Sequence, residues 1–302
     1  MKIGIALPIA EDDDGNMARY AEMRAMALRA EETGFDSVWV YDHLLFRFPE
    51  APTRGTWEAW TILSAVAEAT SRVELGALVL CTAFRNPALL AKMADALDEV
   101  SGGRLILGLG AGWHEPEFDA FGYPFDHLVS RFEEAMAIIQ PLLRTGEVDF
   151  SGTYSQTPNA VSRPRGPRAD GPPILIGSSG PRMLRLTARY ADSWNTCWLG
   201  RPTKLAERRA ALEAACAEVG RDPATLEVTV GVAVAYPEPG ATDQPASDPD
   251  KELSGSAEEI AAGLREYAEL GVGHVICACS PNTMASLERL AEALAVYRDG
   301  GA

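Results

Sequence analysis

The sequence predicts an α/β protein whose strands close into a (β/α)8 TIM barrel with insertion loops at the C-terminal face. Eight short apolar runs alternate with eight segments of helical character. The clearest run, 173–177, is a continuous apolar stretch of the kind found in buried parallel strands. A chain of 302 residues, 47% hydrophobic, can house eight such pairs around a sizeable core. An open, doubly wound sheet would produce a similar string, so alternation alone leaves two architectures. The domain reading is one barrel over 1–302, with insertions at 146–172 and 237–254.

Residues 2–7 form the first strand, stopped by Pro8. The acidic run EDDDGN follows, then a helix over 17–33 closed by Gly34. Contiguous carboxylates with no histidine beside them read as a solvated loop tip, not a metal site. The second strand, FDSVWVY at 35–41, leads into Asp42 and His43. A helix over 57–70 and a strand over 73–80 come next. Pro87 opens a helix whose Leu90, Met93, Leu97 and Val100 make one apolar stripe, terminated by Gly102 and Gly103. The fourth strand, 105–109, runs into Gly110, Ala111, Gly112 and Trp113. A helix over 130–143 precedes the polar, Pro- and Gly-rich excursion at 146–172. Strands at 173–177 and 192–196 are joined by a helix that Pro181 starts. A helix over 203–219 and a strand over 226–235 follow. The loop 237–254 is too polar to pack and leaves the seventh strand, so it is expected over the site as a lid. Ser256 and Glu259 then form a capping box, and a strand at 274–279 and a helix at 283–298 complete the chain.

Acidic residues outnumber basic ones 43 to 27, a formal charge of -16, which argues against nucleic acid or an anionic membrane as partner. Five cysteines, an odd number without metal-site spacing, point to a reduced compartment. The apolar start MKIGIALPI is too short for a signal peptide and no run reaches membrane-spanning length, so the cytoplasm is the expected location.

In a barrel, residues just after the strands gather at one face. Here they are Asp42, His43, Cys81, Thr82, Trp113, His114, Glu115, the turn Gly177, Ser178, Ser179 and Gly180, Trp198 and Cys279. The turn carries no bulky side chain and precedes a helix start, so its amides can face a phosphate or carboxylate, and Arg182 could add a charge. Trp113 and Trp198 could wall an apolar pocket for a small-molecule substrate. A histidine placed like His43 can give or take a proton near neutral pH.

Four stretches occur in order: GFDSVWVYDH at 34–43, WEAWTILSAVAEATSRVELG at 57–76, FRNPALLAKMADALDEVSGGRLILGLGAGW at 84–113 and PPILIGSSGPRMLRLTARYADSWN at 172–195. With them the chain, from residue 1 to about 298, resembles the luciferase-like monooxygenase superfamily, most closely its branch using the deazaflavin coenzyme F420. The resemblance implies a barrel, coenzyme F420 (alternatively FMN, in a monooxygenase), and hydride exchange with a small organic substrate, His43 carrying the proton. It implies cofactor contacts at Asp42, Leu78, Val79, Cys81, Gly108, Gly110, Gly177, Ser178, Ser179 and Gly180, with a non-prolyl cis peptide between Leu78 and Val79. Asp42 would orient His43 or touch the cofactor. Similar sugar-phosphate dehydrogenases carry a glutamate after the Gly-x-Gly of the fourth strand, where this chain has Ala111, which leaves His114 or Glu115 as substitutes. An oligoglutamate tail on the cofactor would favour a basic groove, for which Arg47, Arg54, Arg182 and the run at 163–168 are candidates. The resemblance also implies a homodimer.

Overall fold

Eight parallel strands close into a barrel in the computed structural model, which describes residues 1–12, 14–236 and 248–300. They are β1 (Lys2–Ala6), β2 (Ser37–Val40), β3 (Glu74–Ala77), β4 (Leu105–Gly110), β5 (Ile174–Gly177), β6 (Ser193–Leu199), β7 (Glu227–Ala235) and β8 (His274–Ser280). Each pairs with the next in chain order, and β8 returns to β1 through His274 and Lys2. The pairing of β4 with β5, through Leu107 and Ile174, is the one an open sheet lacks. Helices α1 (Tyr20–Thr33), α2 (Ala59–Ala69), α3 (Pro87–Ser101), α4 (Glu115–Phe121), α5 (Leu128–Arg144), α6 (Pro181–Tyr190), α7 (Leu205–Val219), α8 (Ala257–Glu269) and α9 (Met284–Asp299) surround it.

Inside the barrel, fully buried Trp39 fills the space that Gly4 and Gly76 leave, since a Cβ on either would strike its ring. Its indole N–H donates to Ser37 Oγ (2.7 Å), which lies 2.7 Å from Nε2 of buried His274. This polar chain satisfies groups that would otherwise be orphaned in an apolar interior. Outside the barrel, α3 shows how the helices pack. Asn86 caps it by accepting the Leu89 N–H, and Gly102 closes it at a positive φ. Its buried face differs from the expected stripe: Leu90, Ala91, Ala94, Leu97, Asp98 and Ser101 are buried, while Val100 is exposed because it lies on the outward side of the last turn.

The structure departs from the sequence reading in five places. The third strand stops at Ala77 and resumes as Leu80–Cys81 on β4, and between the two pieces lies the Leu78–Val79 cis peptide that the resemblance implied. The sixth strand continues to Leu199 through a register shift after Thr196, with a second non-prolyl cis peptide at Cys197 and Trp198. Helix α4 went unread, and so did a small hairpin pairing Leu45–Phe46 with Arg54–Gly55. The excursion at 146–172 holds another hairpin, Glu147–Ser151 with Gln156–Val161. Its tip is clamped to α5, where Glu134 accepts the N–H groups of Thr153, Tyr154 and Ser155.

Most of the expected lid, 237–247, and Asp13 of the acidic tip lie outside the described residues. The described remainder of that loop adds Leu253–Ser254 to β7. Among the described residues no cluster of His, Cys, Asp or Glu could hold a metal, and no helix is long and apolar enough to cross a membrane.

Candidate active site

The strand ends enclose a cavity of about 640 Å³. Its bed is the interruption of β3. Val79 fits against the barrel wall because β4 and β5 present Gly110 and Gly177 there: a Cβ on Gly110 would come within 2.5 Å of a Val79 methyl, and one on Gly177 within 3.1 Å. Buried Asp42 fastens the far side, accepting the Cys81 N–H (2.7 Å) and a bidentate pair from Arg85 (2.6 and 2.9 Å). Arg85 also reaches Glu58 at 2.7 Å, so one guanidinium serves two carboxylates. Asp42 therefore lines the cavity but does not orient His43, because its oxygens are spent on the bed. Burial pushes the Cys81 thiol up to about 12 and keeps it protonated. Gly108 is not a lining residue; a Cβ there would strike the Ala77 carbonyl, so it serves strand packing.

At one end of the bed stands the start of α6. Gly180 is its cap residue, Pro181 follows, and no side chain caps it, so the first-turn amides of Arg182 and Met183 face outward without a helical partner. The four turn residues divide. Ser178 is committed to structure: its N–H donates to the Asn195 carbonyl (3.2 Å) and its hydroxyl to Thr187 Oγ1 (2.8 Å), because the Thr187 hydrogen goes to the Met183 carbonyl. Ser179 and Gly180 keep free amides among the described residues. Arg182 turns away to Ser130 Oγ (2.9 Å) and Glu133 (2.6 Å), so it lends the turn no charge. The arginines of 163–168 are also lost as a groove. Arg165 and Arg168 bind Asp95, Asp98 and carbonyls at Leu143 and Leu105, near where β4 begins, away from the cavity.

Between bed and turn, Asn195 donates its amide N–H to Thr229 Oγ1 (2.9 Å), whose own hydrogen goes to the Trp194 carbonyl (3.0 Å). That order fixes the amide orientation and leaves Asn195 Oδ1, on a cavity-lining residue, buried without a partner among the described residues. A bed backed by glycines, open helix-start amides and an orphaned acceptor on the strand beside that turn fit a flavin-type ring carried on a hydroxylated chain that ends in a phosphate.

His43 follows β2, the strand that pairs with β3. Its Nδ1 lies 2.9 Å from Glu117 Oε1, and Glu117 Oε2 accepts the Leu44 N–H at 2.8 Å. Glu117 is 1% exposed. An ionised carboxylate only accepts, so Nδ1 carries a hydrogen, and in the neutral imidazole the lone pair is then on Nε2. His43 lines the cavity, and its Nε2 has no other partner among the described residues. The expected substitutes for the acid at Ala111 do not serve. His114 is buried with Nε2 accepting the Arg47 N–H (3.0 Å), and burial lowers its pKa and keeps it neutral. Glu115 is exposed at the first turn of α4. Two residues on, Glu117 is the carboxylate at the cavity; Pro116, which marks a helix start, was the signal that could have found it. The structure also brings in Tyr41, Phe46 and Asn195, while Thr82 hydrogen-bonds the Gly110 carbonyl behind the bed and Cys279 is core.

The sequence model of a family described as luciferase-like monooxygenase matches residues 1–248. A phthiodiolone/phenolphthiodiolone dimycocerosates ketoreductase of Mycobacterium sp. (strain JLS) is 33% identical over 242 residues, covering 74% of this chain and 62% of that protein. The chain thus spans about three fifths of that relative's length. Two solved structures share the fold. An F420-dependent secondary alcohol dehydrogenase in complex with an F420-acetone adduct has a TM-score of 0.81, with 23% identity and 99% of each chain covered. Riboflavin lyase with modified FMN and riboflavin has a TM-score of 0.79, with 15% identity, covering 99% of this chain and 92% of that one.

Proposed function

The chain belongs to the luciferase-like monooxygenase family, a family of oxidoreductases, and from that premise we propose that it is a coenzyme F420-dependent oxidoreductase acting on a carbonyl or its alcohol. When bound, the deazaflavin supplies hydride exchange: two electrons and one proton pass between its ring and the substrate carbon, and a second proton passes between the substrate oxygen and His43 Nε2.

The residues divide that work. Leu78 and Val79, backed by Gly110 and Gly177, would hold the ring; Ser179, Gly180 and the first turn of α6 would hold the phosphate, and Asn195 the chain between them. Glu117 keeps the hydrogen of neutral His43 on Nδ1, so that Nε2 accepts the hydroxyl proton in oxidation and, once protonated, returns it in reduction. Tyr41, Phe46, Trp113 and Trp198 line the cavity around this exchange.

The observation that carries the reading is the His43–Glu117 pair, because alcohol–carbonyl exchange needs an oriented proton carrier beside the ring. The FMN monooxygenase reading shares the bed and the helix start. Equilibrium binding of coenzyme F420 and of FMN to the purified protein, followed by fluorescence at two salt concentrations, separates them. Preference for FMN with oxygen consumption overturns the proposal; tight F420 binding, together with loss of turnover in His43→Ala, supports it.

A further inference from the structure

We propose that the substrate is an uncharged ketone or secondary alcohol with an extended apolar arm, which leaves the cavity along an aromatic track beginning at His43. The inference rests on the hydride-exchange reading for what happens at the carbonyl, and on the surface itself for what the arm is.

Phe46 lies 4.3 Å from the His43 ring on one side, and Trp113 stands edge-on at 5.6 Å on the other. Phe48 continues outward, stacked on Phe46 at 6.2 Å with planes 11° apart. These rings do not end in the core: Phe48 is 42% exposed and Trp113 61%. Large aromatic side chains left exposed and contiguous with a cavity mark a surface that is covered by something apolar.

Charge supports the same ligand class. No lysine or arginine lines the cavity among the described residues. Its two carboxylates are taken, Asp42 by Arg85 and Cys81, Glu117 by His43 and Leu44. The open anion-binding amides stand at the start of α6, at the end of the bed assigned to the cofactor. A phosphorylated sugar at His43 would therefore leave its charge in an aromatic pocket with no counter-ion. Arg47 and Arg54 belong to the segment that carries the track but not to the cavity lining; Arg54 lies over the Phe46 ring at 5.6 Å and Arg47 Nε donates to Thr53 Oγ1.

The test uses cofactor-loaded protein and a series of 2-alkanones and 2-alkanols from three to ten carbons, with 9-hydroxydecanoate and glucose 6-phosphate as charged comparators. Affinity is read from tryptophan fluorescence, to which Trp113 and Trp198 at the cavity contribute whether or not a hydride moves, and kcat/KM from cofactor absorbance. Both should rise about fourfold per methylene over the first few carbons, the factor for burying one CH₂, and the charged compounds should lag the neutral ones of equal size. Phe48→Ala should lower the ratio of ten-carbon to three-carbon affinity about tenfold. Flat chain-length dependence, or preference for a charged compound, overturns the inference even if turnover is seen. Chain-length-dependent affinity with no turnover of any alcohol or ketone supports the ligand class and sinks the hydride reading instead.

Discussion

Replacing Glu117 with glutamine tests how His43 is set. The carboxylate accepts two hydrogens in the native arrangement, from His43 Nδ1 at 2.9 Å and from the Leu44 N–H at 2.8 Å. A glutamine has one acceptor oxygen and one NH₂ group. The Leu44 donor is backbone and cannot change, so it claims the oxygen, and the NH₂ is turned towards His43. Nδ1 must then accept, the imidazole hydrogen moves to Nε2, and neutral His43 presents a donor to the cavity in place of a lone pair. General base catalysis of this kind is worth about 10²–10⁴ in rate, and the swapped tautomer forfeits most of it. Oxidation kcat for Glu117→Gln should fall at least about a hundredfold. The cofactor dissociation constant should hold within about twofold, because the bed is untouched. Exchanging a charge-assisted hydrogen bond for a neutral one costs about 1–2 kcal/mol of stability, visible in urea unfolding. Stopped-flow cofactor reduction and fluorescence titration read the first two quantities. A kcat within about threefold of native, at unchanged affinity, would refute the claim that Glu117 sets the proton path.

Other substitutions separate the bed from the barrel. In Gly110→Ala the new methyl meets a Val79 methyl, which can yield only by tilting the bed, so cofactor affinity should drop about tenfold or more while the fold persists. In Gly108→Ala it meets the Ala77 carbonyl, which cannot yield, so the loss should appear as lowered thermal stability. Arg85→Gln strips the partner from buried Asp42 and should cost about 3–5 kcal/mol in denaturant unfolding. His274, buried on Ser37, is held neutral down to about 3. An unfolded histidine takes its proton near 6.5, so between about pH 6.5 and pH 3 the unfolded state binds more protons and stability falls as pH falls, by up to about 1.4 kcal/mol per unit. His274→Gln should flatten that slope in unfolding series at about pH 7 and pH 4.5, and an unchanged slope would exclude the residue as its source.

The parts of this molecule that read clearly from sequence are those fixed by local chemistry. Pro87 with Gly102, and Pro181 after a small-residue turn, bracket helices through backbone preferences that need no knowledge of the rest of the fold. The eight runs could be counted, but whether β4 meets β5 is a non-local fact, and only the pairing of Leu107 with Ile174 settles it. Strand ends placed His43 and Gly177 at the cavity, Val79 came only from the family resemblance because it lies in the interruption of β3, and what depends on which way a side chain turns was illegible. Arg182 read as a charge for the turn and in fact pairs with Glu133 on α5, 49 residues earlier. Glu115 and Glu117 are the same residue type two positions apart, and the helical turn between them puts one in water and the other against His43. Asn195 gave no signal, since its orphaned oxygen follows from a hydrogen passed along by Thr229.

The two halves of the site are built from different material, and that difference bears on which half can change. The bed comes from barrel strands whose glycines have no room for a side chain and whose one charged clamp, Asp42 with Arg85, is buried. A mutation there disturbs strand pairing as well as ligand binding, so the ring site is constrained by the fold itself. The track instead comes from the hairpin of Leu45–Phe46 and Arg54–Gly55 and from the loop before α4, joined by the hydrogen bond from the Arg47 N–H to His114. Rings such as Phe48 and Trp113 can be exchanged there without leaving a cavity in the core, because they are exposed. His43 and Glu117 stand where the two halves meet, one on the strand end and one on α4. A change of substrate can therefore proceed ring by ring along the track while proton handling stays in place. Moving the proton site would require α4 and the end of β2 to change together.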